Sequence, residues 1–243
     1  MISIIVPIRE EDPAAAACFA PFVDAPETEL LVADGTGGSP AADAFARIGA
    51  RVLKGSGTRG ARLALAAREA RGDVLFFLHA DSVAPDAAPG LIREALDAGA
   101  VAGAFSLAYT GGGAGMRWVA WWANLRSRFL RLPFGDQGIF CRRDVYERVG
   151  GFRDLPICDD VDLVRRLRRA GAFRLLPEKT RTSPRRYAAH GVARQVLRNW
   201  RVLAGYFAGV SPATLSRWYN EEVKDAPPAS ARAPLERKAI PRR

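Results

Sequence analysis

Short apolar runs alternate with alanine-rich and charged stretches through the first eighty residues. Four of the runs have strand-like patterns: 2–7 and 30–33, which indicate buried strands, 51–53, which is short, and 73–78, which is the strongest. Three stretches between them have the composition of helices: 12–23, 41–48 and 60–70. Because strands that alternate with helices indicate βαβ units, we expect an α/β fold with a mainly parallel sheet and helices on both of its faces.

After residue 81 the alternation becomes irregular. Two further runs have strand-like patterns: 102–109 and 138–141. Five segments have helical patterns: 89–98, 116–130, 143–149, 159–170 and 195–207. Residues 221–243 are rich in proline, alanine and charge and hold almost no core residues, which predicts a disordered basic tail. The expected organisation is a single domain over 1–220 followed by that tail.

The predicted helix 116–130 carries an aromatic pattern. Trp118, Trp121 and Trp122 are spaced i, i+3 and i+4, which places them on one side of the helix. This spacing favours a stripe that packs into the core. The alternative is a platform for an acceptor or an anchor at a membrane interface, because arginines flank the tryptophans.

The charge of the chain is divided unevenly between its two halves. The 243 residues carry a formal net charge of +10. Residues 1–110 hold 9 basic against 14 acidic side chains, whereas residues 111–243 hold 27 against 12. A basic second half suits phosphates, anionic lipid headgroups or nucleic acid, and a solvated arginine-rich surface is the plainer interpretation. With 49% hydrophobic residues, the composition excludes an intrinsically disordered protein.

Cysteine usage and the start of the sequence indicate the compartment. The three cysteines lie far apart and form no CxxC pair, so neither a zinc site nor a disulfide framework is expected. The sequence opens directly with the first predicted strand, without a basic leader or a cleavage site. No apolar run of about 18 residues predicts a spanning helix. We therefore expect a cytoplasmic protein.

Carboxylates follow the predicted strands, at the edge where parallel sheets bind ligands. Asp81 comes directly after the strand 73–78, where an isolated carboxylate needs a cation or hydrogen-bond donors. A divalent cation shared with a diphosphate would meet that need, and a helix N-cap is the alternative. Asp34 ends the second strand before a glycine-rich turn, which suits either a contact with a base or ribose or an Asx turn.

A second acidic group begins the predicted helix 159–170. Asp159, Asp160 and Asp162 crowd like charges together, which can raise one pKa towards that of a general base. Helix capping and surface pairs with nearby arginines are the alternative. Arg59 and Arg62, near the start of the predicted helix 60–70, are placed to meet a diphosphate at a helix N-terminus.

Taken in order, five segments of the chain resemble the family 2 glycosyltransferases of GT-A fold. The five segments are Ile4-Ile5-Val6-Pro7-x-x-Glu10, Glu29-Leu30-Leu31-Val32-x-Asp34-Gly35, Arg71-Gly72-Asp73-Val74-Leu75-x-Phe77-Leu78-His79-Ala80-Asp81, Phe134-Gly135-Asp136-Gln137-Gly138-Ile139-Phe140 and Asp159-Asp160-Val161-Asp162-Leu163. The set is most similar to a bacterial subgroup associated with radical-SAM and selenium-related domains. The resemblance covers roughly residues 1–215 and depends on the order of the segments rather than on any one of them.

The resemblance implies an inverting glycosyltransferase that takes its sugar from a nucleotide-sugar donor, a UDP- or GDP-sugar. Asp160 would be the base that deprotonates an acceptor hydroxyl, with Asp159 beside it. Asp81 would bind Mn²⁺ or Mg²⁺ as the last residue of a DxD motif. Asp136 and Gln137 would line the acceptor side. The expected contacts of the donor nucleotide are Pro7, Glu10, Asp34, Arg59, Arg62 and Ala80.

The sequence departs from the family pattern at three places. His79 replaces the first Asp of the DxD motif, and we expect it to be a spacer or a hydrogen-bond donor rather than a metal ligand. Asp159 replaces a Glu, and the turn after the second strand lacks its usual second Asp. These changes keep open a second interpretation, a nucleotide-sugar-binding relative with weak or lost activity.

Two further hypotheses concern partners. The basic, tryptophan-bearing second half suggests a lipid-linked acceptor and a peripheral contact with the inner face of the membrane. A basic module that binds nucleic acid or another anionic surface is the rival from a different class. The carboxylates at the strand ends disfavour it because unneutralised acids repel phosphates, so no specific nucleic-acid partner is expected.

Overall fold

The apolar runs of the first eighty residues form the parallel half of one sheet. The computed structural model describes residues 1–220, and the predicted tail, 221–243, lies outside them. Eight strands are present over the described range: β1 (Ile2–Ile8), β2 (Thr28–Asp34), β3 (Arg51–Lys54), β4 (Val74–Phe77), β5 (Ser82–Val83), β6 (Ala102–Tyr109), β7 (Ile139–Arg142) and β8 (Phe173–Thr182). The α-helices of the same range are α1 (Ala20–Val23), α2 (Pro40–Arg47), α3 (Arg59–Glu69), α4 (Ala88–Asp97), α5 (Gly113–Phe129), α6 (Arg143–Arg148), α7 (Asp159–Ala170), α8 (Arg185–His190), α9 (Val192–Phe207) and α10 (Pro212–Asn220).

The strand order is β3-β2-β1-β4-β7-β6-β8-β5. β1 pairs in parallel with β2 and β4, and β2 pairs in parallel with β3. β7 is antiparallel to both of its neighbours, β4 and β6. β8 runs parallel to β6, and β5 runs antiparallel to β8. A parallel half therefore continues into a mixed half, and the carboxyl ends of β1, β2 and β4 lie at the same edge.

Both faces of the sheet are covered, which explains why β1 is apolar at almost every position. Ile4 and Val6 belong to a core cluster shared with α2 and α4, whereas Ile5 belongs to the opposite cluster, shared with α3 and α7. A polar alternation is expected only where one face of a sheet meets water. The predicted α/β fold with helices on both faces is confirmed.

The alanine-rich stretch 12–23 is not the single helix that its composition predicts. It forms a 3₁₀ helix, Pro13–Cys18, followed by α1, with Phe19 between them. Pro21 has no backbone N–H, so a continuous α-helix would lose its bond to the carbonyl of Ala17 at this point. The proline therefore divides the stretch into two short helices.

The ten-residue strand β8 was not predicted from the pattern. Pro177 and Glu178 interrupt its apolar run, and proline is rare inside strands. The register shows how the sheet accommodates them: Phe105 lies opposite Leu176, whereas the next residue of β6 lies opposite Lys179. Two residues of β8 thus form a bulge, the usual place for a proline within a sheet. The short elements β5, α8 and α10 were not predicted either.

Helix α5 contradicts the expected core-facing stripe. Trp118, Trp121 and Trp122 are 53%, 56% and 43% exposed. The helix buries a different side, which includes Met116 and Val119. The i, i+3, i+4 spacing defines one side of a helix but not what that side faces, so the interpretation of these tryptophans as core residues was wrong.

Candidate active site

Two helix N-termini meet at the carboxyl edge of the parallel strands and bring an arginine against two carboxylates. Arg59 is the first residue of α3, and Asp159 and Asp160 are the first two residues of α7. Nε and Nη2 of Arg59 lie 3.0 and 2.5 Å from the two carboxylate oxygens of Asp159, which makes a bidentate pair. Nη2 also lies 3.5 Å from Oδ2 of Asp160. Because Asp159 is buried, solvent screens this pair poorly.

The close approach of α3 and α7 depends on a glycine. A Cβ atom at Gly60 would lie 2.3 Å from the backbone oxygen of Arg153 and 3.2 Å from Cβ of Asp159. Cys158, the residue before α7, has a left-handed backbone with φ of 60°, which is uncommon for a residue other than glycine. The surrounding contacts hold this turn, and the turn delivers the two carboxylates to Arg59.

His79 joins the same group from the residues that follow β4. Its Nε2 lies 2.9 Å from Nη1 of Arg59. A guanidinium can only donate, so Nε2 accepts and the ring is neutral, with its proton on Nδ1. Burial, and then the charge of Arg59, lower the pKa of His79 to about 4. At Nε2 the histidine is an acceptor rather than the predicted donor, and Arg59 uses the lone pair that a metal would need.

Asp160 is held from three directions. Its Oδ2 accepts a 2.7 Å hydrogen bond from the N–H of Gly135, and its Oδ1 accepts one of 2.8 Å from the N–H of Val161. Burial opposes ionisation, but Arg59 and the Gly135 N–H outweigh it and hold the pKa of Asp160 below its usual value. A Cβ atom at Gly135 would lie 2.7 Å from Nε2 of His79. Because glycine has no Cβ, residue 135 can lie beside His79 while its N–H donates to Asp160. Asp160 is therefore an ionised carboxylate in a fixed position.

Asp136, on the same turn as Gly135, has the opposite environment. Its Oδ1 is buried and has no hydrogen-bond partner within the described range. Burial raises the pKa of Asp136 to about 6; Arg126 opposes this shift, and the charges of Asp160 and Asp81 add to it. A ligand hydroxyl or a cation would satisfy the buried oxygen.

Gln137 is occupied within the fold. Its Oε1 accepts a 2.7 Å hydrogen bond from Oγ of Ser127, and its Nε2 donates one of 2.9 Å to the carbonyl of Phe105. The side chain is completely buried. Gln137 therefore supports the turn from inside the protein, and the acceptor contact predicted for this region is available at Asp136.

Asp81 lies beyond β4 and is paired with an arginine that is distant in the sequence. Its Oδ2 is 2.9 Å from Nη2 of Arg185, the first residue of α8. Over residues 1–220 no group of three His, Cys, Asp or Glu side chains could hold a metal ion. A divalent cation at Asp81 would therefore complete its shell with substrate phosphate and water, which is the usual coordination of Mg²⁺ in nucleotide sites. Arg185 contacts only Oδ2 of Asp81, so Oδ1 is the oxygen that fits an ion held in that way.

Of the predicted donor contacts, Asp34 has an oxygen left for a ligand, whereas Arg62 is occupied within the fold. Oδ1 of Asp34 accepts the N–H and the hydroxyl of Thr36 at 2.9 and 2.7 Å, which is an Asx turn. Its Oδ2 is buried and has no hydrogen-bond partner among residues 1–220, so one oxygen is left for a base or ribose hydroxyl. Nη1 of Arg62 contacts the carbonyls of Ile8 and Ala33. Arg62 therefore supports the ends of β1 and β2.

Three predicted contacts are backbone positions or lie in the loop after β1. Pro7 is buried in β1, Ala80 is buried between β4 and Asp81, and Glu10 is exposed just beyond β1. The structure thus places the predicted residues along one edge of the sheet, with Arg59, Asp159 and Asp160 in direct contact. Arg126 and Arg185 were not predicted. Arg185 lies 104 residues from Asp81, so no local pattern could have linked the two.

No family model matches the chain, and no curated protein matches it. Solved structures do resemble it. The chain superposes on an S. aureus TarS fragment in complex with UDP-GlcNAc with a TM-score of 0.61 and 16% identity. The match covers 75% of this chain and 58% of that one, so it spans less than two thirds of the TarS fragment.

Two other solved structures resemble the chain over more of its length. The mannosyltransferase PcManGT from Pyrobaculum calidifontis, in complex with GDP-Man and Mn²⁺, matches with a TM-score of 0.60 and 17% identity, over 91% of this chain and 68% of that one. Glucosyl-3-phosphoglycerate synthase from Mycobacterium tuberculosis matches with a TM-score of 0.52 and 18% identity, over 82% and 77%. The sheet and its flanking helices have the GT-A fold of these structures, as predicted. The narrower resemblance to the radical-SAM and selenium-associated subgroup stays a prediction.

Proposed function

We propose that the chain is a glycosyltransferase that moves a sugar from a nucleoside diphosphate donor to an acceptor hydroxyl with inversion at the anomeric carbon. The observation that carries the proposal is the group of carboxylates at one edge of a GT-A sheet. Asp81, Asp136 and Asp160 come from three distant segments, and the charges of Asp81 and Asp160 both act on the carboxyl of Asp136. Solved examples of this fold bind UDP-GlcNAc or GDP-Man.

Asp160 is the residue best placed to accept the proton. The acceptor oxygen would attack the anomeric carbon, and its proton would pass to the carboxylate of Asp160. The bond from the anomeric carbon to the donor phosphate would break, and its electron pair would leave with the nucleoside diphosphate. Arg59 and the Gly135 N–H hold Asp160 ionised and in place before the acceptor arrives, which is the preorganisation that such a base needs.

Asp136 would contact the same acceptor. Its unpartnered Oδ1 can accept a hydrogen bond from a hydroxyl of the acceptor. Asp159 would act through Arg59, because its two oxygens are occupied by the guanidinium. The two halves of the Asp159-Asp160 pair thus have different tasks: one fixes the arginine and the other meets the substrate.

On the donor side, the free oxygen of Asp34 would accept a hydrogen bond from the base or the ribose. Pro7, Glu10 and Ala80 would line this part of the edge. Mn²⁺ or Mg²⁺, held by Asp81 together with the diphosphate, would supply Lewis-acid stabilisation of the leaving group. Arg185, which contacts Asp81, adds positive charge at the same place.

The acceptor side of the proposal is a lipid-linked hydroxyl presented at a membrane. The protein would act in the cytoplasm at the inner face of that membrane. No helix among residues 1–220 is long and apolar enough to cross a bilayer. The proposed contact with the membrane is peripheral and is made by the exposed sides of α5 and α9.

Calorimetric binding of UDP- and GDP-sugars, with and without Mn²⁺, tests the donor site. We expect one donor to bind wild-type protein in a Mn²⁺-dependent manner and to bind the Asp81→Asn variant at least tenfold more weakly. The matched control is Asp86→Asn, the same chemical change at an exposed position five residues further along. If no donor binds folded wild-type protein, the proposal is wrong.

Release of the nucleoside diphosphate separates transfer from binding. The Asp160→Asn variant should keep donor affinity within about twofold and lose turnover by 10²-fold or more, which is a typical contribution of a positioned base. Asp144→Asn, an exposed change on α6, is the control. Wild-type protein that binds the donor but releases no product with any acceptor would instead be a nucleotide-sugar-binding relative without activity.

A further inference from the structure

The large apolar side chains that are strongly exposed in residues 1–220 lie on or directly beside two helices, α5 and α9, which contact each other. We call them the aromatic face: Trp118, Trp121, Trp122, Phe129, Leu130, Leu197, Trp200 and Phe207. Their exposed fractions lie between 43% and 73%. Isolated exposed apolar residues need no explanation, but a set confined to two neighbouring helices marks an interaction surface.

Both helices are well packed, so the exposure does not come from detached segments. On its inner side α5 holds the backbone of Leu107 through Asn124, whose Oδ1 accepts the N–H at 2.7 Å and whose Nδ2 donates to the carbonyl at 2.9 Å. On its inner side α9 buries Val202 and Leu203. Each helix therefore has one side fixed to the core and an opposite apolar side that meets solvent.

The segments that carry the aromatic face are basic and hold no carboxylates. Residues 111–134 contain four arginines and residues 183–220 contain six, without a single Asp or Glu in either segment. Five of these arginines are exposed on or beside α5 and α9: Arg117, Arg128, Arg131, Arg194 and Arg201. Positive charge and exposed tryptophans thus occupy the same helices.

We propose that the aromatic face docks the protein on an anionic phospholipid surface. Tryptophan rings favour the headgroup region of a bilayer, and arginines near the surface are attracted to anionic lipids. Phe129, Leu130 and Leu197 would enter the upper acyl region. α5 has 17 residues and a length of about 26 Å, so it would lie in the plane of the interface.

Charge favours lipid over the other occupants of such a face. A second copy of the chain in a two-fold interface would place this arginine-rich face against itself, and like charges would repel. Nucleic acid would match the arginines and could stack on the tryptophans, but it offers nothing to the leucines. An anionic membrane matches the charged, aromatic and aliphatic side chains together.

The helix α5 carries part of the docking surface and also contacts the turn that holds Asp136, so the link between docking and the acceptor rests on the proposed function. From its inner side, α5 sends Ser127 to Gln137 and Arg126 to the ring of Phe134. Both contacts support the turn that carries Asp136. A helix is about 10 Å wide, so an acceptor anchored in the docked membrane would need to extend little further than that to reach the turn. The substrate class this geometry favours is an acceptor hydroxyl carried on a lipid.

Co-sedimentation with vesicles tests the docking surface. Wild-type protein should bind vesicles of phosphatidylcholine with phosphatidylglycerol at 0.1 M salt and leave those of phosphatidylcholine alone largely unbound. The variant Trp118→Ser/Trp121→Ser/Trp122→Ser and the variant Arg117→Gln/Arg128→Gln/Arg131→Gln should each bind at least tenfold more weakly. The control has the same charge as the second variant but changes exposed arginines elsewhere: Arg47→Gln/Arg148→Gln/Arg174→Gln.

Two results would overturn the inference. One is equal loss of vesicle binding in the control and in the arginine variant, which would reduce the effect to net charge. The other is absence of vesicle binding by wild-type protein, whether or not it dimerises or retains single-stranded DNA. Donor binding, measured without vesicles, should be unchanged in all three variants. If the donor fails to bind wild-type protein while the vesicles bind, the proposed function falls and the docking surface stands.

Discussion

Arginine is used in opposite ways in the candidate active site and on the aromatic face. In the candidate active site, Arg59 lies against Asp159, Asp160 and His79, and every contact fixes the position of another side chain. On the aromatic face, exposed arginines such as Arg117 lie in a segment that has no carboxylate at all. The first arrangement satisfies its charge inside the molecule, whereas the second leaves its charge for something outside.

The difference shows what burial does to an ionic pair. A buried pair contributes little net stability compared with apolar residues, but removal of one partner is costly because a desolvated charge remains. An exposed arginine has no such constraint, since water and salt screen it. Charge in the candidate active site therefore determines internal geometry, and charge on the aromatic face determines which partner is attracted.

Among changes to charged side chains, Arg59→Met should have the largest effect on stability. It leaves Asp159 buried without its partner, and we expect the free energy of unfolding to fall by about 3–5 kcal/mol, as measured by urea denaturation. The double change Arg59→Met/Asp159→Asn should recover part of the loss. Arg51→Met is the control, because Arg51 pairs with Glu69 on the surface, with both side chains more than 40% exposed, and it should cost less than about 1 kcal/mol. Equal losses at positions 51 and 59 would contradict the comparison.

Asp136→Asn should have a smaller effect that depends on pH. The pKa of Asp136 in the folded chain is about 6, above the value of about 4 for an unfolded aspartate. The folded state binds more protons between these values, so this carboxyl lowers stability as pH rises from about 4 to 6. The variant should therefore be more stable than wild type by about 2–3 kcal/mol at pH 7.5 and nearly equal to it at pH 4. Denaturation curves at both pH values test this, and the exposed change Asp144→Asn should give the same small difference at each.

Trp121→Ala should have the smallest effect. The side chain is 56% exposed, so its truncation should change the free energy of unfolding by less than about 0.5 kcal/mol. Phe76→Ala, in the fully buried centre of β4, should cost about 3–5 kcal/mol. Thermal or urea unfolding of the two variants makes the measurement. A cost above about 2 kcal/mol for Trp121→Ala would mean that the aromatic face is part of the core.

Most of the parallel half of the fold could be predicted from the sequence, because β1, β2 and β4 each contain a local apolar run that is buried on both faces of the sheet. The strand β8 could not, because Pro177 interrupts its apolar pattern and its pairing partners, β6 and β5, are distant in the sequence. The candidate active site shows the same division. Asp81 follows the end of a strand and Asp160 lies at the start of a helix, so both could be found from local sequence patterns. The pairing of Arg185 with Asp81 and the exposure of Trp118 depend on how distant segments pack, and a spacing rule contains no such information.

Cys158 offers a chemical probe of the contact between α3 and α7. A cysteine at a helix N-terminus is ordinarily a reactive thiol, because the helix dipole favours the thiolate. Here burial, together with the charges of Asp160 and Asp159, raises the thiol pKa to about 12. At neutral pH the thiol is therefore protonated and shielded for as long as the turn before α7 stays closed. The rate at which a soluble disulfide reagent modifies Cys158 would then report how often that turn opens, without any label being added to the candidate active site.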